Sequence, residues 1–242
     1  MNVPIKPIYL FADSQLLFWK SDGHLFLETL KDHLAAADPK AAYIGAANGD
    51  NPEFFEIFKS AMEGIGITNC RMIQSQFSAA DHDYLAEADL ILLAGGELKR
   101  GWDILVKTGM RDLVIKKYYA GATLIGISAG AVQLCLGGWA DGDMFVDNFI
   151  YTFKLTPLLL GTHEEKEDWR RLRKSVRVMG NRIKAIGVSA GGGLIYYPDH
   201  TLEPIRFPVH EFVVKNNKLV YCLVYPPTGN ERECTEELMM LH

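Results

Sequence analysis

Residues 123–131 read Thr123-Leu124-Ile125-Gly126-Ile127-Ser128-Ala129-Gly130-Ala131, and this stretch decides the fold. Thr123 to Ile127 is an apolar run of strand length, and a helical stretch starts at about Ala129. Between them, Gly126 to Gly130 matches G-x-S-x-G, the pattern of a strand–turn–helix elbow. Such a turn lifts a serine hydroxyl off the C-terminal end of its strand, and the small flanking residues let backbone and substrate come close. The N–H of Ala129, at a helix start, is placed to stabilise an oxyanion. The same pattern recurs at Gly187-Val188-Ser189-Ala190-Gly191. There a strand-like sequel, Gly192 to Tyr197, assigns Ser189 to a hairpin turn. A tight strand–helix turn in a nucleotide-binding fold is the alternative reading of Ser128.

Upstream of the elbow, Asp89 to Ala94 is the clearest buried strand, and it ends in Gly95-Gly96. Two glycines at a strand's C-terminal end can aim a backbone N–H into the crevice where parallel sheets bind ligands. Gly96 is therefore the second candidate oxyanion donor. Ile8–Ala12 and Ala41–Ala47 read as further buried strands, and Arg71–Gln74 as a weak one. Leu27, Leu30 and Leu34 form a helical stripe within Leu25–Ala37. A helix from Glu53, with Pro52 in its first turn, is expected to bury Phe54, Phe55, Phe58 and Met62. Ala79–Ala86 and Asp112–Tyr119 read as shorter helices. The β-α-β-α rhythm predicts an α/β fold with a mostly parallel sheet covered on both faces.

The final third changes character. A helix over Glu164–Met179 precedes strand-like segments at Ala185–Ser189, Leu194–Tyr197, Glu211–Val214 and Leu219–Val224, with Asn216-Asn217 as a hairpin signal. These segments should extend the sheet or build an antiparallel edge. No repeat, low-complexity tract or linker interrupts the chain, which predicts a single domain over residues 1–242. In the tail, Thr228 to His242, a polar and acidic stretch precedes Leu238-Met239-Met240-Leu241, which are expected to cover an edge.

Apolar residues make up 48% of the chain and charged residues 23%, ordinary for a globular domain. A net charge of −5 without a lysine or arginine run excludes a general nucleic-acid binder. No apolar stretch approaches the roughly 20 residues that span a bilayer, and no basic leader precedes an apolar run. The four cysteines lack CxxC or Cys/His ligand spacing, so neither a disulfide framework nor a zinc site is expected. The expected location is the cytoplasm. No cofactor or metal is implied.

A serine nucleophile needs a neighbouring base. Of seven histidines, His163 stands out: Thr162-His163-Glu164-Glu165 has capping-box spacing and would put His163 on the first helical residue. The positive helix end would keep the ring neutral, as a general base requires. A solvated histidine at a helix start is the competing reading of these residues alone.

Taken together, ADLILLAGG (88–96), GISAGA (126–131) and a histidine 35 residues after the serine (163 − 128) resemble the dipeptidase E and cyanophycinase family of serine peptidases. The resemblance runs from about Ala41 to Tyr197. It implies a Rossmann- or flavodoxin-like three-layer sandwich of the class I glutamine-amidotransferase type. Ser128 is the implied nucleophile and His163 the implied base, with Gly96 and Ala129 as oxyanion donors. Small or unusual peptides or amides are the implied substrates, and a homodimer the implied assembly. Glu97 stands where relatives carry a substrate-contacting polar residue. One feature departs from the family: the segment that usually holds the triad acid, Gly187 to Leu194, contains no carboxylate. Asp143, 15 residues after Ser128 (143 − 128), resembles an acid of the dipeptidase branch, with Asp141 and Glu97 as weaker candidates.

Three rival readings remain open from sequence. An α/β-hydrolase esterase would use Ser128, Asp199 and His210. A glutamine amidotransferase would need a cysteine at the elbow, whereas Cys135 lies seven residues beyond it (135 − 128). A catalytically degenerate relative would bind a small ligand or a partner.

Overall fold

Strands whose side chains are apolar on both faces need cover on both sides, and the chain supplies it with helices and a second sheet. The computed structural model describes residues 4–34, 36–139, 148–227 and 232–238. The chain opens with β1 (Ile8–Phe11) and a short hairpin, β2 (Lys20–Ser21) and β3 (His24–Leu25). Then follow β4 (Ala41–Ile44), α1 (Pro52–Gly64), β5 (Cys70–Ile73), α2 (Ala79–Glu87) and β6 (Leu90–Leu93). Two helices, α3 (Leu98–Thr108) and α4 (Met110–Tyr119), lead to β7 (Thr123–Ile127) and α5 (Ala129–Leu134).

Beyond the elbow come the paired β8 (Gly137–Trp139) and β9 (Phe149–Tyr151), then β10 (Leu158–Thr162) and α6 (Arg170–Met179). The chain finishes with β11 (Lys184–Val188), β12 (Gly193–Tyr196), β13 (Leu202–Ile205), β14 (Val209–Lys215), β15 (Lys218–Val224) and β16 (Arg232–Leu238).

The main sheet has the order β13-β12-β1-β7-β6-β4-β5. Its five strands from β1 to β5 are parallel, and β12 and β13 extend it antiparallel beside β1. A second sheet runs β10-β11-β14-β15-β16, with one parallel pair, β10 and β11. The α/β expectation with antiparallel additions therefore holds, and the additions are larger than an edge. One continuous core joins Ile8, Leu10 and Leu124 of the main sheet to Leu158, Leu160, Ile186 and Val188 of the second. On the other face, Tyr9, Phe11 and Ile125 pack on Leu27, Leu30, Phe58 and Met62.

Local chemistry explains the helix starts. Asn51 caps α1 by accepting the Glu53 N–H, with Pro52 at the first helical position. Ser78 and Asp81 form a reciprocal capping box on α2.

Several expectations need correction. The Leu27–Leu30 stripe belongs to a tight 3-10 helix, Phe26–His33, in which residues three apart stack on one side. Helix α3 was not expected, because Gly101 and a run of charges interrupt its pattern; Gly101 is there to let Gln133 and Ala47 approach. Phe54 is 48% exposed rather than core. Ser189 sits in a tight turn, but β11 and β12 on either side belong to different sheets, so it is not a hairpin. Cys222 and Cys234 are directly opposed on β15 and β16 and joined by a disulfide, so cysteine usage no longer argues for a reducing compartment. Separate sequence positions twelve apart carry no sign of that pairing until the hairpin register is known.

Gly187 shows how closely the second sheet is packed. A Cβ there would lie 2.5 Å from the ring of Trp169, which is buried. Gly187→Ala should cost about 1–3 kcal/mol through overpacking. The expected sign is a lower denaturant midpoint with the slope unchanged. An unmoved midpoint would show that Trp169 is not seated on the strand.

Candidate active site

The elbow is built by backbone contacts. The Ser128 N–H donates to the Phe11 carbonyl at 2.9 Å, tying the turn after β7 to the end of β1. Ser128 has φ 50° and ψ −113°, a conformation L residues avoid unless their surroundings impose it. Those surroundings have no room for side chains beside the serine. A Cβ on Gly130 would come within 2.1 Å of the Leu93 carbonyl oxygen, and one on Gly126 within 2.5 Å of Ala131. The first N–H groups of α5 lack helical partners and point out of its start, including that of Ala129.

The glycine loop after β6 lies against the elbow. A Cβ on Gly95 would be 3.2 Å from Ser128 Cβ, and one on Gly96, at φ 139°, would be 2.3 Å from the Ala47 carbonyl oxygen. The Glu97 N–H donates to that same carbonyl at 2.9 Å, and among the described residues no backbone carbonyl accepts from the Gly96 N–H. From β4 the chain continues to β5 on one side, and from β6 to β7 on the other. The crevice therefore opens at a topological switch point, where open α/β sheets bind ligands.

His163 arrives from the second sheet, and not as expected. Thr162 is the last residue of β10, paired with Val188, so it cannot be an N-cap. His163 is exposed with φ 63°, and α6 begins only at Arg170. The carboxylates serve elsewhere: Glu165, the N3 residue of the expected box, accepts the Ala190 N–H at 3.3 Å, and Glu164 accepts the Leu172 N–H of α6 at 3.4 Å. Burial is the main cause that raises the Glu164 pKa. The helix-dipole argument for a neutral His163 ring therefore falls.

Two cavities meet at the serine. One, of about 250 Å³, is lined by Gly96, Glu97, Ser128, Ala129 and His163, and so gathers every described residue that the sequence singled out for the site. Lys99, Glu164 and Arg171 add charges of both signs to its wall. The second, of about 240 Å³, shares Gly96, Ser128 and His163 with the first. Among the described residues no hydrogen bond joins the Ser128 hydroxyl to the His163 ring; in unliganded hydrolases such bonds often tighten only when substrate binds. Asp143 and Asp141 lie outside the described residues.

Sequence reasoning missed Asp13. It lies two residues past the end of β1, lines the second cavity, and accepts the N–H groups of Gln15 and Gly191 at 2.8 and 2.7 Å. Its place just beyond a strand's C-terminal end was the available signal. Glu165 similarly accepts the Ala190 N–H at 3.3 Å, so two carboxylates from elsewhere hold the turn that lacks its own.

The rival constellations are not assembled. Asp199 is spent on the Thr201 N–H and hydroxyl, and His210 stacks beside Trp169 with its Nδ1 2.9 Å from the Tyr221 hydroxyl. Neither lines the serine cavities. Cys135 is buried, and burial pushes its thiol up to about 12, far from a reactive thiolate. Among the described residues no group of three or more His, Cys, Asp or Glu could hold a metal, and no helix is long and apolar enough to cross a membrane.

His210 gives a pH test of this packing. Desolvation is the largest effect on it and lowers its pKa, with Asp168 and Glu165 opposing. The folded chain thus binds fewer protons there than the unfolded chain, so stability rises with pH up to about 6.5, the ordinary histidine value. Melting temperatures between pH 5 and 7 should climb less steeply in His210→Gln than in wild type. Parallel curves would remove His210 as the cause.

The profile of peptidase family S51 matches residues 19–191. The crystal structure of a peptidase from an acI-B1 Actinobacterium superposes with a TM-score of 0.66 at 14% identity, covering 98% of this chain and 99% of the other. A candidate peptidase E from Listeria monocytogenes EGD-e superposes with a TM-score of 0.62 at 16% identity, over 84% and 100% of the two chains. At these identities the superpositions establish the fold. No curated protein matches the chain.

Proposed function

The chain belongs to peptidase family S51, and we propose that in this serine-type peptidase Ser128 is the nucleophile and His163 the general base. The observation that carries the proposal is the elbow itself: a serine held at positive φ, facing a cavity it shares with His163, Gly96 and Ala129. Ser128 Oγ attacks the scissile carbonyl carbon while His163 takes its proton. The tetrahedral oxyanion is held by the N–H groups of Gly96 and Ala129. His163 then gives the proton to the departing amine, leaving an acyl-enzyme. Water, deprotonated by the same ring, attacks the ester and releases the acid and Ser128.

Asp143 is the proposed carboxylate that orients His163, on its resemblance to an acid of the dipeptidase branch. Glu97, exposed on the cavity wall beside the oxyanion loop, is the proposed polar contact to substrate. The substrate is a small peptide. Cavities of about 250 and 240 Å³ fall below the roughly 300–1,000 Å³ of drug-sized sites, so each suits one residue-sized group. The same reading has the enzyme act in the cytoplasm as a homodimer; sedimentation of the purified chain checks the assembly.

Labelling with a fluorophosphonate, followed by peptide mass spectrometry, tests the assignment. Wild type should be modified at Ser128, Ser128→Ala should not react, and His163→Ala should react at least about 100-fold more slowly, the usual contribution of a positioned base. A well-folded wild type that takes up no label would overturn it.

A further inference from the structure

The two cavities at Ser128 differ in chemistry. The second is walled by Leu17, Tyr43, Phe54, Ile57, Phe58 and Leu92 and opens directly onto Gly96, Ser128 and His163. Leu17, Tyr43, Phe58 and Leu92 are buried and belong to the core of the main sheet, which fixes the floor. Phe54 and the half-buried Ile57 come from α1 and form the rim, and Phe54 keeps nearly half of its surface in solvent.

Beyond Ser14 and the catalytic pair, the polar side chains at this cavity are already engaged. The Asn48 amide donates to the Tyr43 hydroxyl at 2.9 Å, and Asp13 accepts the Gln15 and Gly191 N–H groups. No lysine or arginine is among its lining residues. An acidic side chain entering here would be stripped of water, gain no cation and face the Asp13 carboxylate. An aliphatic or aromatic side chain would exchange water for apolar walls. At about 240 Å³ the space suits one such group.

We propose that this cavity is the specificity pocket of the peptidase, and that it takes a bulky apolar side chain, of the leucine or phenylalanine class, from a residue adjoining the scissile bond. The proposal rests on Ser128 being the nucleophile, because that is what places the cavity beside the cleaved bond. Phe54 and Ile57 are its specificity-determining residues. The sequence had given Phe54 to the core; its exposure here is explained by a rim that is completed only when substrate fills it.

The test compares kcat/KM for Leu-Ala and Ala-Leu with Asp-Ala and Ala-Asp, in wild type, Ile57→Phe and Phe54→Asp. Phe54 is exposed and Ile57 half-buried, so both variants should fold, and circular dichroism checks that they do. At one of the two positions wild type should favour leucine over aspartate at least about tenfold, the low end of what an apolar pocket achieves. Ile57→Phe narrows the space and Phe54→Asp charges its rim, so both should bring that ratio towards one. Calorimetry on Ser128→Ala reads the same preference as binding, without any chemistry. Aspartate preferred at both positions, or a leucine preference that neither variant changes, overturns the pocket. If Ser128 is labelled by fluorophosphonate in that case, the nucleophile assignment stands and only the pocket falls. If Ser128 takes no label while the leucyl dipeptide still binds at least tenfold more tightly, the nucleophile assignment falls and the pocket remains.

Discussion

The structure depends on a backbone-to-backbone contact. The first turn of α5 rests on the carbonyl oxygens that end β6, at a separation that leaves no space for a Cβ on Gly130. With the Ser128 N–H committed to Phe11, the turn after β7 is held between the ends of two neighbouring strands. Ser128 takes a positive φ because every neighbouring atom is already placed. The energy for that strained angle comes from the buried parallel strands, whose apolar faces cannot be exposed without dismantling the core. The glycine loop after β6 obeys the same rule against Ala47, so the loops around the serine are located by main chain rather than by side-chain packing.

The histidine is delivered differently. It follows β10, whose partner β11 leads through a tight turn into β12 and so back to β1. Asp13, Glu165 and Arg206 all bond to the backbone of that turn, which stitches the second sheet to the first beside the crevice. Ser128 and His163 thus come from different sheets, joined by one continuous apolar core.

The parallel half of the fold was legible because its strands are short, apolar and punctuated. Asp89–Ala94 before two glycines, and Thr123–Ile127 before the elbow, announce both their ends and their chemistry. The second sheet was only partly visible. Leu158–Thr162 is a strand after Pro157, but the adjoining Thr-His-Glu-Glu matches a helix-start pattern, and local pattern cannot tell a capping carboxylate from one that, like Glu165, reaches a distant turn. His163 stands out in sequence for a geometry it does not have, while in the fold it shares a cavity with Gly96, Glu97, Ser128 and Ala129. Phe54 was misplaced because helical periodicity counts apolar residues without seeing whether a neighbouring element covers them. Gly187 carried no sequence sign of the Trp169 ring that lies on it, since contacts between distant segments leave no local trace.

The two parts of this site differ in how much substitution they tolerate. At Gly126, Gly130 and Gly96, even one methyl group collides with main chain, so nearly every change there damages the fold together with the elbow. Phe54 looks out from α1, and Ile57 lies half-buried at the margin of the core. Changes at the rim can alter what enters the crevice while the turn beneath it stays intact. A fold with that division can change the surface of its crevice by single replacements on one helix, with the elbow beneath held nearly invariant by sterics alone.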